Sequence, residues 1–437
     1  MRWLQKMRQR NKEKTAYRKW YRLDTAALIF PAITRLDWCN AFRVSATLDE
    51  PVDPYALQHA VDDLRRRFPS FYVTLHKGFF WCYLEESSQK LTVQEDYAYP
   101  LTFMSSRELK SNCMRVLYYH NRIAVEFFHS LTDGRGGSVF LSNLVARYLE
   151  CRYGMQIPKN GLIRRFDEDP PAAELEDSFF KNAAEVAAGR SEAKSYHLHG
   201  RKEKGGFKHL TTGIVETRAL LDKAHELGVS VTALLAAVMA KSIMEMQDLK
   251  KHRKRQRPVK ITIPVDLRRL YGSQTLRNFS LVLNLGADPR YGDYTVEELS
   301  RLIWHQLGIG ATPQNMAGLI AANVQPQQLL LLRLAPAFIK HIVMDMVYRG
   351  SGECGGSLNI SNLATLSLPE EMQAHVRRME FIIGPQRSYP NNCSVLSYGG
   401  KTYINMIRNI RESELERRFF SRLVSMGIPV EIESNRR

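Results

Sequence analysis

The segment AVEFFHSLTDGRGG, from Ala124 to Gly137, joins an apolar run to a glycine-rich turn. Upstream, RIAVEFF has the composition of a strand; downstream, SVFLSNLVARYLECRYG repeats apolar positions at helical spacing until Gly154 stops it. His129 therefore stands at the end of a strand and at the entrance to a helix. An imidazole with an ordinary pKa near ~6.5 is suited to proton transfer at neutral pH. Asp133, inside the turn, can fold back to fix the loop or find a cationic partner, and Gly134, Gly136 and Gly137 tolerate dihedrals that other residues avoid. Taken alone, a strand-terminal histidine is more often structural than catalytic, because a working base needs supporting groups.

Working outward, NAFRVSATL (Asn40 to Leu48) alternates as a half-buried strand does, and DPYALQHAVDDLRRRFP follows at helical spacing. FYVTL, FFWCYLE and CMRVLYYH are further strands. From about Asp167 to Gly206 the chain turns polar, which marks a helix plus crossover linker. A similar alternation then resumes: strands at GFKHLTTGIVET, VKITIPVDL and FSLVLNLGA, and helices at SVTALLAAVMAKSIMEM and TVEELSRLIWHQLG. MEFIIG, CSVLSYG and KTYINMIRN read as neighbouring strands before a closing amphipathic helix, RESELERRFFSRLVSMG. The fold class is α+β, without the strict βαβ rhythm of a doubly wound sheet. The expected organisation is a basic leader over 1–22, an N-terminal subdomain over 23–166, a crossover over 167–206 and a C-terminal subdomain over 207–437, with a cleft between the halves as the natural ligand site.

A chain of 437 residues exceeds the ~250–300 at which single cores stop growing, which also favours two halves. With 44% hydrophobic and 24% charged residues it is neither disordered nor fibrous. Its six cysteines show no CxxC pair and no regular spacing, which argues against a disulfide framework and a zinc site; they read as reduced and mostly buried. His197 and His199 have no completing ligand set, so no metal is expected. The apolar stretch around Leu329 to Leu332 is broken by Arg333, Pro336 and Lys340, short of the ~20 residues a membrane span requires. No secretory pattern opens the chain, so the expected location is cytoplasmic.

Lys and Arg outnumber Asp and Glu by 62 to 45, a net charge of +17 that attracts phosphates of any kind. The run KKHRKRQR, Lys250 to Arg257, offers Lys251, Arg253, Lys254 and Arg255 as a grip on coenzyme A or an acidic carrier protein, weighed against a solvated loop. Zinc-finger spacing, a helix-turn-helix signal and RNP-like aromatics are missing, which excludes a nucleic-acid reading. The leader, with Trp3, Leu4 and Met7 among its cations, is a candidate for peripheral contact with anionic lipid, weighed against a frayed soluble terminus.

HSLTDG, from His129 to Gly134, matches the HxxxDG signature, and on it the chain resembles the superfamily of chloramphenicol acetyltransferase, nonribosomal condensation domains, plant BAHD acyltransferases and alcohol acetyltransferases. WYRLDTAALIFPA, RRFPSFYVTL and GFFWCYLE are similar to the start of the bacterial alcohol acetyltransferase-like branch. ITIPVDLRRLYGSQTLRNFS and SLNISNLATLSLP resemble second-half segments, so the likeness runs from about Trp20 to Asn409. Phe128 stands where many condensation domains have a first histidine, and the plant DFGWG segment is absent.

The resemblance implies two acetyltransferase-like halves in a V-shaped pseudo-dimer with an active-site tunnel between them. It implies that His129 is the base and that Asp133 pairs with a second-half arginine, for which Arg268 stands at the matching position. Ser361 and Asn362 fall in the SNLG segment as support or oxyanion contacts, with Ala364 replacing the usual glycine. The implied activity is transfer of an acyl group, in the first instance acetyl, from acyl-CoA to an alcohol hydroxyl. Acyl-CoA is then a co-substrate, no cofactor is permanently bound, and no acyl-enzyme forms, in keeping with the missing GxSxG elbow. Two other readings stand beside it: a condensation-type enzyme fed by an acyl carrier protein that makes an ester or amide, and a binding or assembly protein that has lost catalysis.

Overall fold

The computed structural model describes residues 19–34, 38, 40–189, 192–250, 252–348 and 354–435. The leader up to residue 18, Cys39 and Lys251 lie outside the described residues. The strands, in chain order, are β1 (Trp20–Arg22), β2 (Ala41–Leu48), β3 (Val73–Lys77), β4 (Cys82–Glu86), β5 (Gln94–Glu95), β6 (Met114–Tyr119), β7 (Arg122–Phe128), β8 (His209–Glu216), β9 (Val259–Asp266), β10 (Ser280–Ala287), β11 (Leu358–Thr365), β12 (Val376–Ile383), β13 (Asn391–Tyr398), β14 (Lys401–Arg408) and β15 (Glu431–Ser434). They form a five-stranded sheet β12-β2-β7-β6-β5, a seven-stranded sheet β10-β9-β11-β13-β14-β8-β15 and a small sheet β1-β4-β3.

Each large sheet is covered by helices that its sequence dictates. Gly134–Tyr153 is capped by the Asp133 carboxylate, which accepts the Gly136 N–H, and ends at Gly154 in the left-handed conformation. Its apolar residues pack on Phe42, Phe71 and Phe127 of the first core. Val231–Asp248, capped by Ser230, is buried nearly all round and fills the second core with Ile261, Ile360 and Val395. A smaller cluster around Leu267, Phe279 and Ile320 lies beside the β9–β10 connection.

The two halves are interlocked rather than merely adjacent. MEFIIG does not join its sequence neighbours: β12 pairs antiparallel with β2, Phe381 opposite Val44, while β13 and β14 pair with each other. The reason is burial, since Val376, Met379, Phe381 and Ile382 belong to the first core and not the second. Among its described residues the crossover region, read as a helix plus linker, holds the single-turn helices Ala172–Leu175 and Ser178–Lys181 and a 3-10 turn at Lys204–Gly206; its Pro and Gly content and scattered charges give no sustained apolar stripe. None of the five described cysteines is in a disulfide, and Cys82, Cys113 and Cys393 are buried.

Candidate active site

His129 follows the last residue of β7, where the five-stranded sheet meets the loop between β9 and β10 of the seven-stranded one. Its backbone N–H donates to the Asn40 carbonyl at 2.7 Å, fixing the strand end. The imidazole stacks on Phe30, with centroids 4.5 Å apart, and meets Phe42 edge-on at 5.2 Å. The residue as a whole keeps some exposure while its neighbours Phe128 and Ser130 are buried.

One face of the ring is tied across the halves. Nδ1 lies 3.1 Å from Asn278 Oδ1. The Asn278 amide donates to Asp24 Oδ2 at 3.1 Å and to the His129 carbonyl at 3.0 Å. Both of those partners are oxygen acceptors, so the NH2 group faces them and Oδ1 faces the ring. Oδ1 can only accept; Nδ1 therefore carries the proton, and Nε2 keeps its lone pair. No hydrogen bond engages Nε2 among the described residues. Burial pushes the His129 pKa below the usual histidine value, against the pull of its own carbonyl, Asp133 and Asn278. The ring is thus held neutral, in one tautomer, with its basic nitrogen unengaged.

Asp24, the end of this chain, is fully buried and also accepts the Ala27 N–H at 2.7 Å. Burial raises its pKa to about 6, with Arg277 opposing.

The loop after His129 is braced from below. Asp133 accepts the Gly136 N–H at 3.1 Å and the Phe279 N–H at 2.9 Å, and Arg268 contacts both its oxygens, at 3.0 and 2.9 Å. Arg268 also reaches Asp266 at 3.0 Å and the Thr275 carbonyl at 2.7 Å. Asp133 is thereby engaged at both oxygens by the loop's own backbone, Phe279 and Arg268. Thr132 Oγ1 donates to the Leu276 carbonyl at 2.6 Å, a further stitch between the halves.

The glycines serve close approach rather than unusual dihedrals. None of Gly134, Gly136 and Gly137 has a positive φ. A Cβ on Gly134 would lie 2.9 Å from Leu363 Cδ2, one on Gly137 would lie 2.7 Å from Phe42, and one on Gly136 would overlap Thr132 Oγ1 and the Leu276 carbonyl. Gly134 is where the β11 segment presses onto the helix start.

That segment carries Ser361 and Asn362. Ala364, in place of glycine, still adopts a left-handed backbone, φ 59°, and its N–H donates to Asn362 Oδ1 at 2.8 Å. Asn362 Nδ2 donates to Thr232 Oγ1 at 3.0 Å. Asn362 thus supports the bulge that lets alanine stand where the backbone wants glycine. Ser361 is half-buried in β11, opposite Ser394 of β13.

The basic loop is elsewhere. Arg253, Lys254 and Arg255 form an exposed single turn before β9, and Arg253 pairs with Asp293 at 2.6 Å. Asp266 and Arg268 lie at the far end of that eight-residue strand, roughly 25 Å away at strand rise. A nearer cation is Arg135, in the helix's first turn. It is half-buried and makes no hydrogen bond or ion pair among the described residues; burial, with Arg268 and Arg269, lowers its pKa against Asp266 and Asp133. Asn278, Asp24 and Arg135 were not singled out from the sequence, although each lies in a stretch quoted above. No group of His, Cys, Asp and Glu among the described residues is placed to hold a metal.

Comparison with solved structures decides the fold. TRI101 from F. graminearum, complexed with coenzyme A and T-2 mycotoxin, superposes with a TM-score of 0.60 at 10% identity, over 92% of this chain and 97% of that one. This is the chloramphenicol acetyltransferase and condensation-domain fold. Also similar are the epimerization domain from the third module of tyrocidine synthetase B (TM-score 0.57, 10% identity, 94% and 96% covered) and the wax ester synthase/diacylglycerol acyltransferase of Marinobacter aquaeolei (0.54, 13%, 93% and 99%). By sequence alone, no family profile and no curated protein matches.

Proposed function

We propose that the chain is an acyltransferase that moves an acyl group from acyl-CoA to an alcohol, with His129 as general base. The observation that carries this reading is the imidazole tied through Nδ1 to Asn278, which leaves Nε2 without a hydrogen-bond partner among the described residues at the junction of the two halves. Among similar structures, one holds coenzyme A and T-2 mycotoxin, and another is named for wax ester synthesis and diacylglycerol acyl transfer. Acetyl is the acyl group we favour, from the branch that the sequence resembles.

In this reaction Nε2 takes the hydroxyl proton as the acceptor oxygen attacks the thioester carbonyl. The C–O bond forms, the carbonyl becomes a tetrahedral oxyanion, and Ser361 is the hydroxyl we assign to it as donor. Collapse breaks the C–S bond, and the proton on Nε2 passes to the departing thiolate. Ester and free coenzyme A leave, and His129 returns neutral without ever being acylated. We assign the donor's negative charges to Arg135 near the loop, with Arg253, Lys254 and Arg255 as outlying contacts.

The test is acyl-CoA consumption and ester formation by the purified chain against a panel of acyl chain lengths and alcohols. His129→Ala should lower turnover at least ~100-fold, the scale of a positioned general base. An unchanged rate rejects the assignment. Absence of any turnover with acyl-CoA, but turnover with an acyl-loaded carrier protein, moves the donor and leaves the base in place.

A further inference from the structure

The Ala337–Val347 helix is inside out. Phe338, Ile342 and Met346, four residues apart on one stripe, are 65%, 56% and 59% exposed, while Lys340 is buried at 7%. The Lys340 ammonium donates to the carbonyls of Phe80, at 2.9 Å, and Arg333, at 3.2 Å, and sits 3.4 Å from the centre of the Trp81 ring. The preceding turn, Leu330–Leu334, adds Leu330, Leu331 and Leu334, each more than 60% exposed. Ten of the large apolar side chains exposed on the described surface fall between Leu329 and Val347. Soluble monomers rarely leave so continuous an apolar face in water.

Cations stand at the edge of this face. Lys77 and Arg333 are exposed at its edge, and Arg22 also stacks on Trp81, at 5.4 Å. Phe79 and Phe80, exposed at 71% and 43%, extend it. The described chain begins here as well: Lys19 leads into β1, where Trp20 is 67% exposed and pairs with Glu85 of β4. The eighteen residues before Lys19 contain seven Lys or Arg and one Glu. An apolar centre with cations at its edge, in a chain whose first eighteen residues are strongly basic, matches a bilayer with anionic headgroups. A second copy would bring the same cations against each other.

We infer that this face docks on an anionic phospholipid surface, with the Leu330–Leu334 and Ala337–Val347 side chains seated among the headgroups and upper acyl chains. No single helix among the described residues is long and apolar enough to cross a membrane. The face also borders the candidate site: the helix packs on the Phe30–Ile33 turn, and Phe30 stacks on His129. The docking rests on exposure and charge, independently of acyl transfer.

The experiment is co-sedimentation of the full chain with phosphatidylcholine vesicles, with and without phosphatidylserine, alongside tryptophan emission and light scattering. The full chain should bind the phosphatidylserine vesicles, with a blue shift, and lose affinity as salt rises. The triple variant Phe338→Ser/Ile342→Ser/Met346→Ser, on an exposed stripe, should bind at least ~tenfold more weakly. Lys77→Glu/Arg333→Glu, which leaves the helix unchanged, should weaken binding to phosphatidylserine vesicles. Equal binding by the full chain and the triple variant overturns the inference. So does a dimer that the triple variant converts to monomer with vesicle binding intact, which would make the face a self-interface.

Discussion

Replacing Asn278 by alanine should disarm the base without touching substrate. The side chain makes three contacts, to His129 Nδ1, the His129 carbonyl and Asp24, all between 3.0 and 3.1 Å, and the residue is 2% exposed. Alanine leaves the buried Nδ1–H without that acceptor and frees the ring to take the other tautomer, which places a proton on Nε2. A buried donor left unpaired costs ~1–3 kcal/mol, which at 1.36 kcal/mol per decade is a fall of roughly fivefold to 160-fold in rate. Because the lost contact aims the base, kcat should fall while KM for acyl-CoA stays within about twofold. Initial rates of thiol release, with thermal unfolding recorded beside them, measure this. A second substitution separates aim from charge: Asn278→Asp puts a carboxylate beside Nδ1, favours the imidazolium and should move the acid limb of kcat/KM upward. Wild-type kcat with an unshifted pH profile in both variants would refute the reasoning.

Other consequences follow from the same geometry. Asp133→Ala leaves the buried Arg268 short of its main partner and should destabilise the fold by ~3–5 kcal/mol, read as a lower urea midpoint. Gly136→Ala, whose methyl group would overlap Thr132 and Leu276, should lower the melting temperature more than Gly154→Ala, where nothing lies within 4 Å and only the left-handed backbone is strained. Burial depresses the His129 pKa, so the acid limb of kcat/KM should fall below pH 6.5; the linked stability term is present above 6.5 and is lost as pH falls through the lower folded value. Arg135→Gln should raise KM for acyl-CoA severalfold with kcat little changed, and more than removal of charge at Lys254 and Arg255 does.

Local patterns in the chain were readable because they follow backbone periodicity. β7, the turn and the Gly134–Tyr153 helix sit where RIAVEFF, HSLTDGRGG and SVFLSNLVARYLE place them. The partners of His129 were not readable, because Asn278 is 149 residues away and Asp24 is reached only through it. The glycines of the turn were assigned to dihedral freedom, but the need is steric and comes from Leu363, Leu276 and Phe42, far along the chain. Ala364 keeps the left-handed turn expected of glycine because Asn362 ties its N–H down. β12 crosses to the other half because that core takes its apolar residues, a competition no window of sequence reveals. The apolar run at Leu329 to Leu332 was visible as composition; that its continuation turns Lys340 inward and its aliphatic residues outward is a property of the folded surface.

The proposed reaction needs a neutral imidazole whose unprotonated nitrogen faces substrate. Nitrogen-15 NMR of histidine-labelled protein, with the His129 signals assigned by their loss in His129→Ala, reads that state without any substrate. The account predicts a protonated Nδ1 and a lone-pair Nε2 at pH 7, persisting as pH is lowered past 6.5. A proton on Nε2, or an imidazolium already formed at pH 7, would contradict it.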